Sequence, residues 1–294
     1  MTFTHAVSTD NYGPAKWIVD ASAANGTHTT IAAALTSASS GDTIFIRPGT
    51  YTENLTLKAG VNLTAFVSDA QTPNVTIIGK CTATFAGSAT LSGIRLQTNS
   101  DNCVSVTGSA ATIINLFSCY INCSNNTGIL NSSSSGSSLV FCSECTGDIG
   151  TVGIAIFSNS GGGGLKFNSC IFTNSGGSTT ANTCSGTSSG ALSAFDVQFN
   201  SALTLSSAAS ILLEYCQFTI LTSSGTSSGT VLFCYSSDVV IGAGTTITLC
   251  SCIVNSASTN VLTGAGTLNY AFIAFNGASS GHNVTTENAL ATLI

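Results

Sequence analysis

Apolar and polar residues alternate through the stretch 41–66, GDTIFIRPGTYTENLTLKAGVNLTAF. Three short runs each place their apolar residues on one face: Ile44 and Ile46, then Leu55 and Leu57, then Val61, Leu63 and Ala65. This period of two is that of a half-buried strand. Turn residues separate the runs, Pro48-Gly49 first and Ala59-Gly60 second. Because these gaps are too short for the crossover helix of an ordinary parallel sheet, the stretch predicts one coil of a solenoid.

A related motif recurs after residue 90. It aligns on eight positions, which are Ile94, Cys119, Cys145, Cys170, Val197, Cys216, Cys234 and Cys252. The steps between them are 25, 26, 25, 27, 19, 18 and 18 residues, and a period of about 20–50 residues marks a repeat architecture. Gly/Ser/Thr-rich insertions, such as 131–138 and 175–190, lengthen some steps. We expect the eight side chains to point inward and stack about 4.8 Å apart as a core ladder.

The chain before the repeats predicts a cap for the solenoid. Residues 1–24 have weak periodicity and are expected to form an arm, with a strand at 17–19. Over 25–41, Thr29 or Thr30 can cap a helix that Gly41 ends. The residues on its apolar face are Ile31, Ala34, Leu35 and Ala38. Such a helix would cover the open end of the core, as repeat folds require.

The predicted organisation therefore has four segments. They are an N-terminal arm (1–24), a capping helix (25–41), a parallel β-helix (42–275) and a polar C-terminal tail (276–294). The repeat period indicates about eight to ten coils.

Charge is scarce along the whole chain. Only 6% of the 294 residues are Asp, Glu, Lys or Arg, against about 25% in a typical protein. The mean hydropathy of +0.41 and the recurring apolar runs argue against disorder. Ser, Thr and Asn can form like-with-like ladders between coils, where stacked charges would repel. The composition also fits a protein whose flanks are covered by copies of itself.

The charge pattern limits the classes of binding partner that we expect. The net charge is −6, and the six positive side chains form no basic patch, so nucleic-acid binding is not expected. No run approaches the roughly 18 apolar residues of a membrane-spanning helix. The first 17 residues lack a basic region followed by an apolar segment, so we expect no signal peptide and synthesis in the cytosol.

The chain contains twelve cysteines. An even count suggests disulfides in a small secreted chain, but this chain is long and lacks a secretion signal, so reduced thiols are expected. Side chains stacked in register point parallel, which is poor geometry for a disulfide. Each of the pairs Cys119/Cys123, Cys142/Cys145 and Cys250/Cys252 supplies two of the four ligands that zinc takes. Stacked coils could supply a second pair, but inward thiols in a dry core are the commoner case. We therefore expect no metal and no other cofactor.

The segment 29–57 resembles the start of the pectin-lyase-like right-handed parallel β-helix superfamily. That superfamily often opens with a capping helix, a Gly-Asp-Thr-Ile strand, here 41–44, and a Pro-Gly-x-Tyr-x-Glu turn, here 48–53. The resemblance implies an all-β, single-stranded right-handed parallel β-helix. The chain as a whole resembles uncharacterised Ser/Thr/Gly-rich β-helix segments of phage tail-fibre-like, virion-associated and environmental bacterial proteins. The stretches that carry this second resemblance are SGDTIFIRPGTYTENLTLKAGVNL, PNVTIIGK, SGIRLQTNS and LTGAGTLNY.

The same superfamily contains enzymes, whose catalytic motifs can be compared with this sequence. Tyr51 and Glu53 match the Gly-x-Tyr-x-Glu element of pectin methylesterases, which in that family lies away from the chemistry. The QAV-type and DFIFG-type elements of the esterases and the NTD, DD and RIK elements of polygalacturonases are missing from the sequence. The only arginines, Arg47 and Arg95, lie near the N-terminal end, far from the place of a pectate lyase base.

Carboxylates in the repeat region offer weak candidates for catalysis. They are Asp148, Asp196 and Asp238, preceded by Asp101 at a similar spacing of 47 residues. Steps of this size correspond to two coils, or roughly 10 Å along the axis. That exceeds the 6.5–9.5 Å or so that inverting glycosidases use. A polysaccharide-degrading lyase, hydrolase or esterase is therefore the alternative reading.

The favoured function is structural: a β-helical module of a virion, tail-fibre-like or other surface fibre. Weak binding of a surface glycan or receptor would accompany it, with Tyr51, Tyr120, Tyr215 and Tyr235 as side chains able to stack on sugars. An exposed solenoid end favours self-association, as a trimer or a head-to-tail filament. We expect location in a virion or an extracellular surface assembly. An ice- or mineral-binding solenoid would need regular T-x-T on one face, and the irregular steps argue against it.

Overall fold

The chain winds as a right-handed parallel β-helix in which each coil contributes one strand to each of three faces. The computed structural model describes residues 17–22, 25–66, 73–98, 101–124, 126–149, 156–173, 182–184, 192–206, 210–254, 262–271, 273–275 and 282–289. All strand pairs on the three faces are parallel, and each strand pairs with the equivalent strand of the next coil. The predicted fold class is confirmed.

Face A begins each coil. Its strands are Thr43–Ile46, Asn62–Ala65, Gly87–Ser92, Thr112–Phe117, Leu139–Ser143, the first part of Gly164–Thr173, the first part of Leu192–Phe199, Ser210–Glu214, Ser228–Leu232, Thr246–Cys250, and the second parts of Leu262–Ala271 and His282–Ala289. Strand Trp17–Val19 of the arm pairs in parallel with Thr43–Ile46 and extends this face at its N-terminal end.

Face B follows face A after a tight corner. Its strands are Gly49–Thr52, Val75–Ile78, Arg95–Thr98, Tyr120–Cys123, Thr146–Ile149, the second parts of Gly164–Thr173 and Leu192–Phe199, the bridging residue Gln217, Tyr235–Ser236, Ile253–Val254 and Ala274–Phe275.

Face C completes each coil. Its strands are Leu55–Thr56, Cys81–Ala83, Val104–Val106, Ile129–Asn131, Phe157–Asn159, Asn182–Cys184, Leu203–Leu205, Ile220–Ser223, Asp238–Ile241, and the first parts of Leu262–Ala271 and His282–Ala289.

The described strands make eleven complete coils, numbered here from the one that starts at Thr43. This exceeds the predicted eight to ten. The tail segment 276–294 contributes to the difference, since it contains strand His282–Ala289, which pairs with Leu262–Ala271. A strand there satisfies the backbone groups of the preceding coil whatever the polarity of its side chains.

The first coil also differs in one respect from the prediction. The run at 61–65 does not close the first coil but starts the second, with Thr43 opposite Asn62. Strand Gly49–Thr52, in the stretch predicted to be a turn, supplies face B instead. Its one inward side chain, Tyr51, is buried between two exposed threonines, so the strand escaped an apolar pattern search.

Among the described residues there is one helix, α1 (Ile31–Ser37), which packs beside the first coil within the segment predicted for it. Thr30 is its N-cap, and the Glu53 carboxylate accepts hydrogen bonds from the Ile31 and Ala32 backbone N–H groups at 2.8 and 2.9 Å. A carboxylate at a helix N-terminus is favoured by the helix dipole. At the other end, Lys58 Nζ donates to the Ala38 carbonyl oxygen. The Pro-Gly-x-Tyr-x-Glu segment therefore holds the cap on the solenoid through Glu53.

The interior of the coils is filled by side chains. Its most aromatic part is the phenylalanine cluster, formed by Phe157, Phe167, Phe172 and Phe199, whose ring centroids lie 5.1–5.9 Å apart. In the part of the chain described, no helix has the length and apolar character needed to cross a membrane.

Candidate functional site

The corner between faces A and B has the same unusual backbone in eight consecutive coils. At this corner one residue per coil has a positive φ: Gly93 (68°), Ser118 (49°), Glu144 (54°), Ser169 (49°), Asp196 (53°), Tyr215 (54°), Phe233 (53°) and Ser251 (53°). We call this column of eight residues the left-handed corner. For any residue but glycine this conformation costs about 1–2 kcal/mol, and such strain gathers at functional sites.

The residue after each corner residue points into the core. These are the eight positions of the predicted core ladder, and their exposed fractions are all 3% or less. Backbone hydrogen bonds join successive rungs: the Tyr120 N–H donates to the Ile94 carbonyl at 3.0 Å, and the Thr146 N–H to that of Cys119 at 2.9 Å.

Six of the eight ladder side chains are cysteines, and their surroundings explain this choice. Each thiol lies near two backbone carbonyl oxygens, one in its own coil and one in the preceding coil. For Cys119 these are Phe117 and Leu91, both at 3.4 Å from Sγ, and for Cys252 they are Cys250 and Val231, both at 3.3 Å. A thiol fills the space of a small apolar group and can also donate weakly to these oxygens.

The outward side chains of the left-handed corner change character along the axis. Ser118, Glu144, Ser169 and Asp196 make it polar in coils 4–7, with Oγ of Ser118 and Ser169 lying 3.3 and 3.4 Å from the carboxylates of Glu144 and Asp196. In coils 8 and 9 the corner residues are aromatic instead, Tyr215 and Phe233.

These two rings belong to a larger exposed cluster, which we call the corner stripe: Ile171, Phe195, Leu212, Tyr215, Phe233, Tyr235 and Ile253. Their exposed fractions run from 36% for Tyr235 to 54% for Tyr215. The Tyr215 and Phe233 rings are stacked, with centroids 5.0 Å apart and planes 8° apart, and the Phe195 ring meets Tyr215 edge-on at 5.5 Å. Phe117 is the one further large apolar side chain with comparable exposure among the described residues.

The structure does not bring the candidate catalytic carboxylates together. Asp148 lies on face B, where its Oδ1 accepts a hydrogen bond from Thr173 at 2.9 Å. Asp196 belongs to the left-handed corner, and Asp238 begins a strand of face C. These places differ by face as well as by coil, whereas a two-carboxylate mechanism needs both groups at one bond.

An open cleft of about 470 Å³ lies between α1 and the first coil. It is lined by Ala32, Leu35, Thr36, Asn54, Thr56, Leu57 and Lys58. Hydroxyl, amide and ammonium groups thus surround a short apolar wall.

Among the described side chains, the cysteines outside the ladder are also buried, except for Cys250, which is half-buried. The side chain of Cys184 is not among those described. No three His, Cys, Asp or Glu side chains among the described residues are grouped as a metal site would require.

Of the tyrosines proposed to stack on sugars, Tyr51 is buried and donates to the Arg47 carbonyl, while Tyr120 lies under the Arg95 guanidinium. Tyr215 and Tyr235 lie in the corner stripe.

The corner stripe as a whole was not found from the sequence. A signal for it exists: the residue before each ladder position reads Gly, Ser, Glu, Ser, Asp, Tyr, Phe and Ser along the chain. The exposed position is recognisable only once the corner is known to be left-handed, and residue type gives no hint of that, since seven of the eight are not glycine.

Comparison with known proteins shows the fold. A pectin methylesterase from carrot has a similar structure, with a TM-score of 0.50 and 12% identity over 95% of this chain and 89% of that one. A deglycosylated pectin methylesterase from Aspergillus niger gives a TM-score of 0.49 at 12% identity, over 95% of this chain and 91% of that one. The ORF18 protein of Geobacillus virus E2 gives 0.46 at 12% identity, over 81% of this chain and 57% of that one.

The fold is thus a parallel β-helix similar to that of the carrot pectin methylesterase, as the opening motif indicated. No family model matches the chain, and no curated protein matches it.

Proposed function

We propose that the chain is a structural β-helical module of a virion, tail-fibre-like or other surface fibre assembly. The observation that carries this proposal is the continuity of the three faces: strand pairing passes from coil to coil without a break from Thr43 to the last described strand. Eleven coils at the inter-strand spacing make a rod about 50 Å long. A filled interior and a surface with few charges suit a load-carrying spacer between other parts of a fibre.

A weak contact with a surface glycan is part of this proposal. The cleft beside α1 offers a suitable place, because Thr36, Asn54 and Lys58 present polar groups next to the apolar side chain of Leu57. Sugar-binding sites combine these features: a few placed polar groups and an apolar wall. The contact area is small, so we expect a weak interaction.

Immunogold electron microscopy tests the structural role. Antibody against the chain is expected to label fibres on virions or on cell surfaces, and the purified chain is expected to release neither reducing sugar nor methanol from pectin and no reducing sugar from other polysaccharides. Dispersed cytosolic label, together with release of sugar or methanol that disappears in the combined Asp148→Asn, Asp196→Asn and Asp238→Asn variant, would instead establish the enzymatic alternative. Asp101→Asn is the matched control, since Asp101 has a similar spacing and is bound by Lys80 Nζ at 3.1 Å.

A further inference from the structure

The corner stripe combines two unfavourable features, exposed apolar side chains and strained backbone positions, and the folding of one chain requires neither. Large apolar side chains are exposed in coils 6–10, and two of them, Tyr215 and Phe233, also occupy left-handed positions. Asn or Gly would relieve the backbone strain, and the polar corner residues of coils 4–7 would avoid the exposure. Contiguous exposed apolar patches mark interaction surfaces.

The arrangement of the rings favours a protein partner over a sugar. Tyr215 has Phe195 on one side of it along the column and Phe233 on the other. A sugar stacks on a free ring face, whereas the facing surfaces of the Tyr215 and Phe233 rings cover each other. The aliphatic side chains beside it, Ile171 and Ile253, are 50% and 40% exposed and belong to protein contacts rather than to sugar sites.

We propose that the corner stripe binds the corner stripe of a second copy of this chain, with the two rods antiparallel. Along the corner the residues read Asp196, Tyr215, Phe233, Ser251. A twofold axis between Tyr215 and Phe233 places each ring against the other ring of the partner. The same axis places the Asp196 carboxylate opposite the partner's Ser251, a hydroxyl donor.

The residues beside the corner stripe on face B are also compatible with this twofold axis. Gln217 and Tyr235 are neighbours in register on face B, and both are exposed. The twofold axis sets the Gln217 amide opposite the phenol of the partner's Tyr235, which can exchange a hydrogen bond with it. A parallel pair would set Asp196 against the partner's Asp196, and two like carboxylates repel.

The size of the stripe sets the expected affinity. Five coils span about 24 Å along the axis, so the contact lies at the small end of specific interfaces, which starts near 1,200 Å² in total. We therefore expect a dissociation constant in the micromolar range.

Sedimentation velocity on the full chain from about 1 to 100 µM tests the inference. The wild type is expected to dimerise. Tyr215→Asn and Phe233→Asn are expected to weaken dimerisation at least about tenfold, because each removes a ring from the centre of the contact. Since Asn tolerates a positive φ, these variants keep the monomer fold, which circular dichroism checks. Ser118→Asn changes the same corner in coil 4, outside coils 6–10, and is expected to leave dimerisation unchanged.

Ser251→Lys tests the orientation. In an antiparallel pair the new ammonium faces the partner's Asp196 and tightens association in a salt-sensitive way, whereas in a parallel pair it faces another ammonium and weakens association. Weakening by Ser251→Lys overturns the antiparallel arrangement. A wild type that stays monomeric at 100 µM, or end-to-end association that persists in Phe233→Asn, overturns the stripe interface. So does a glycan that binds the monomeric wild type and loses binding in Phe233→Asn. The fibre proposal survives each of these results.

Discussion

Replacing Phe199 by alanine is expected to lower the free energy of unfolding by about 3–5 kcal/mol. The Phe199 side chain is 1% exposed and packs against three other rings of the phenylalanine cluster, with centroids 5.7–5.9 Å away. The substitution removes their contacts and leaves a cavity where coils 6 and 7 meet. Each coil touches only its neighbours, so weakening this junction is also expected to separate the unfolding of the two halves of the rod.

Urea denaturation followed by circular dichroism measures both effects. Phe199→Leu keeps most of the volume and is expected to cost less than about 1.5 kcal/mol. Phe117→Ala removes a ring that is 38% exposed and has one ring neighbour, so a loss below about 1 kcal/mol is expected there. If Phe199→Ala proved as mild as Phe117→Ala, the coils would not be packed as described.

Alkaline pH is expected to destabilise the protein through its buried thiols. Burial, with the Glu53 carboxylate as a smaller cause, raises the pKa of Cys81 from 9.0 to about 12. Burial also raises the pKa values of Cys142 and Cys252. Above pH 9 the unfolded chain loses a thiol proton that the folded chain keeps, so the free energy of unfolding falls as the pH rises. For Cys81 alone the loss is about 3 kcal/mol by pH 11.

The comparison of wild type with Cys81→Ala isolates this effect. Both proteins are unfolded with urea at pH 8, 9, 10 and 11, and other titrating groups cancel in the difference. At pH 8 the alanine variant is expected to be the less stable, since it has lost a fully buried side chain. The difference should shrink, and reverse, toward pH 11. Parallel pH profiles for the two proteins would show that Cys81 ionises as readily in the folded chain as in the unfolded one.

The fold was predictable because its signals are local. The alternation at Ile44 and Ile46, the turn at Pro48-Gly49 and the spacing of the ladder cysteines each act over a few residues or repeat at a fixed step. Strand Gly49–Thr52 was missed since Tyr51 is its only inward apolar side chain. The strand at His282–Ala289 was missed for a related reason: pairing with the coil beneath gives a polar segment a partner for its backbone groups.

The candidate site was much less predictable. Tyr215 and Tyr235 are recognisable in the sequence as aromatic residues. The two rings that meet Tyr215, those of Phe195 and Phe233, lie 20 and 18 residues away from it in sequence and contact it only through the stacking of coils. Equally, Asp148, Asp196 and Asp238 looked regularly spaced in the sequence, yet insertions of different length shift them to different faces. A repeat fixes the order of coils, whereas loop lengths decide which side chains share a surface.

Alkylation of the native protein with iodoacetamide, mapped by mass spectrometry, tests the central claim that coil stacking buries a ladder of thiols. The six ladder cysteines, which are Cys119, Cys145, Cys170, Cys216, Cys234 and Cys252, are expected to stay unmodified in the folded chain and to react completely in urea. Half-buried Cys250, two residues from Cys252 on the chain, serves as the internal reference for reagent access. Ladder thiols that reacted in the folded chain as fast as in urea would contradict the stacked-coil structure.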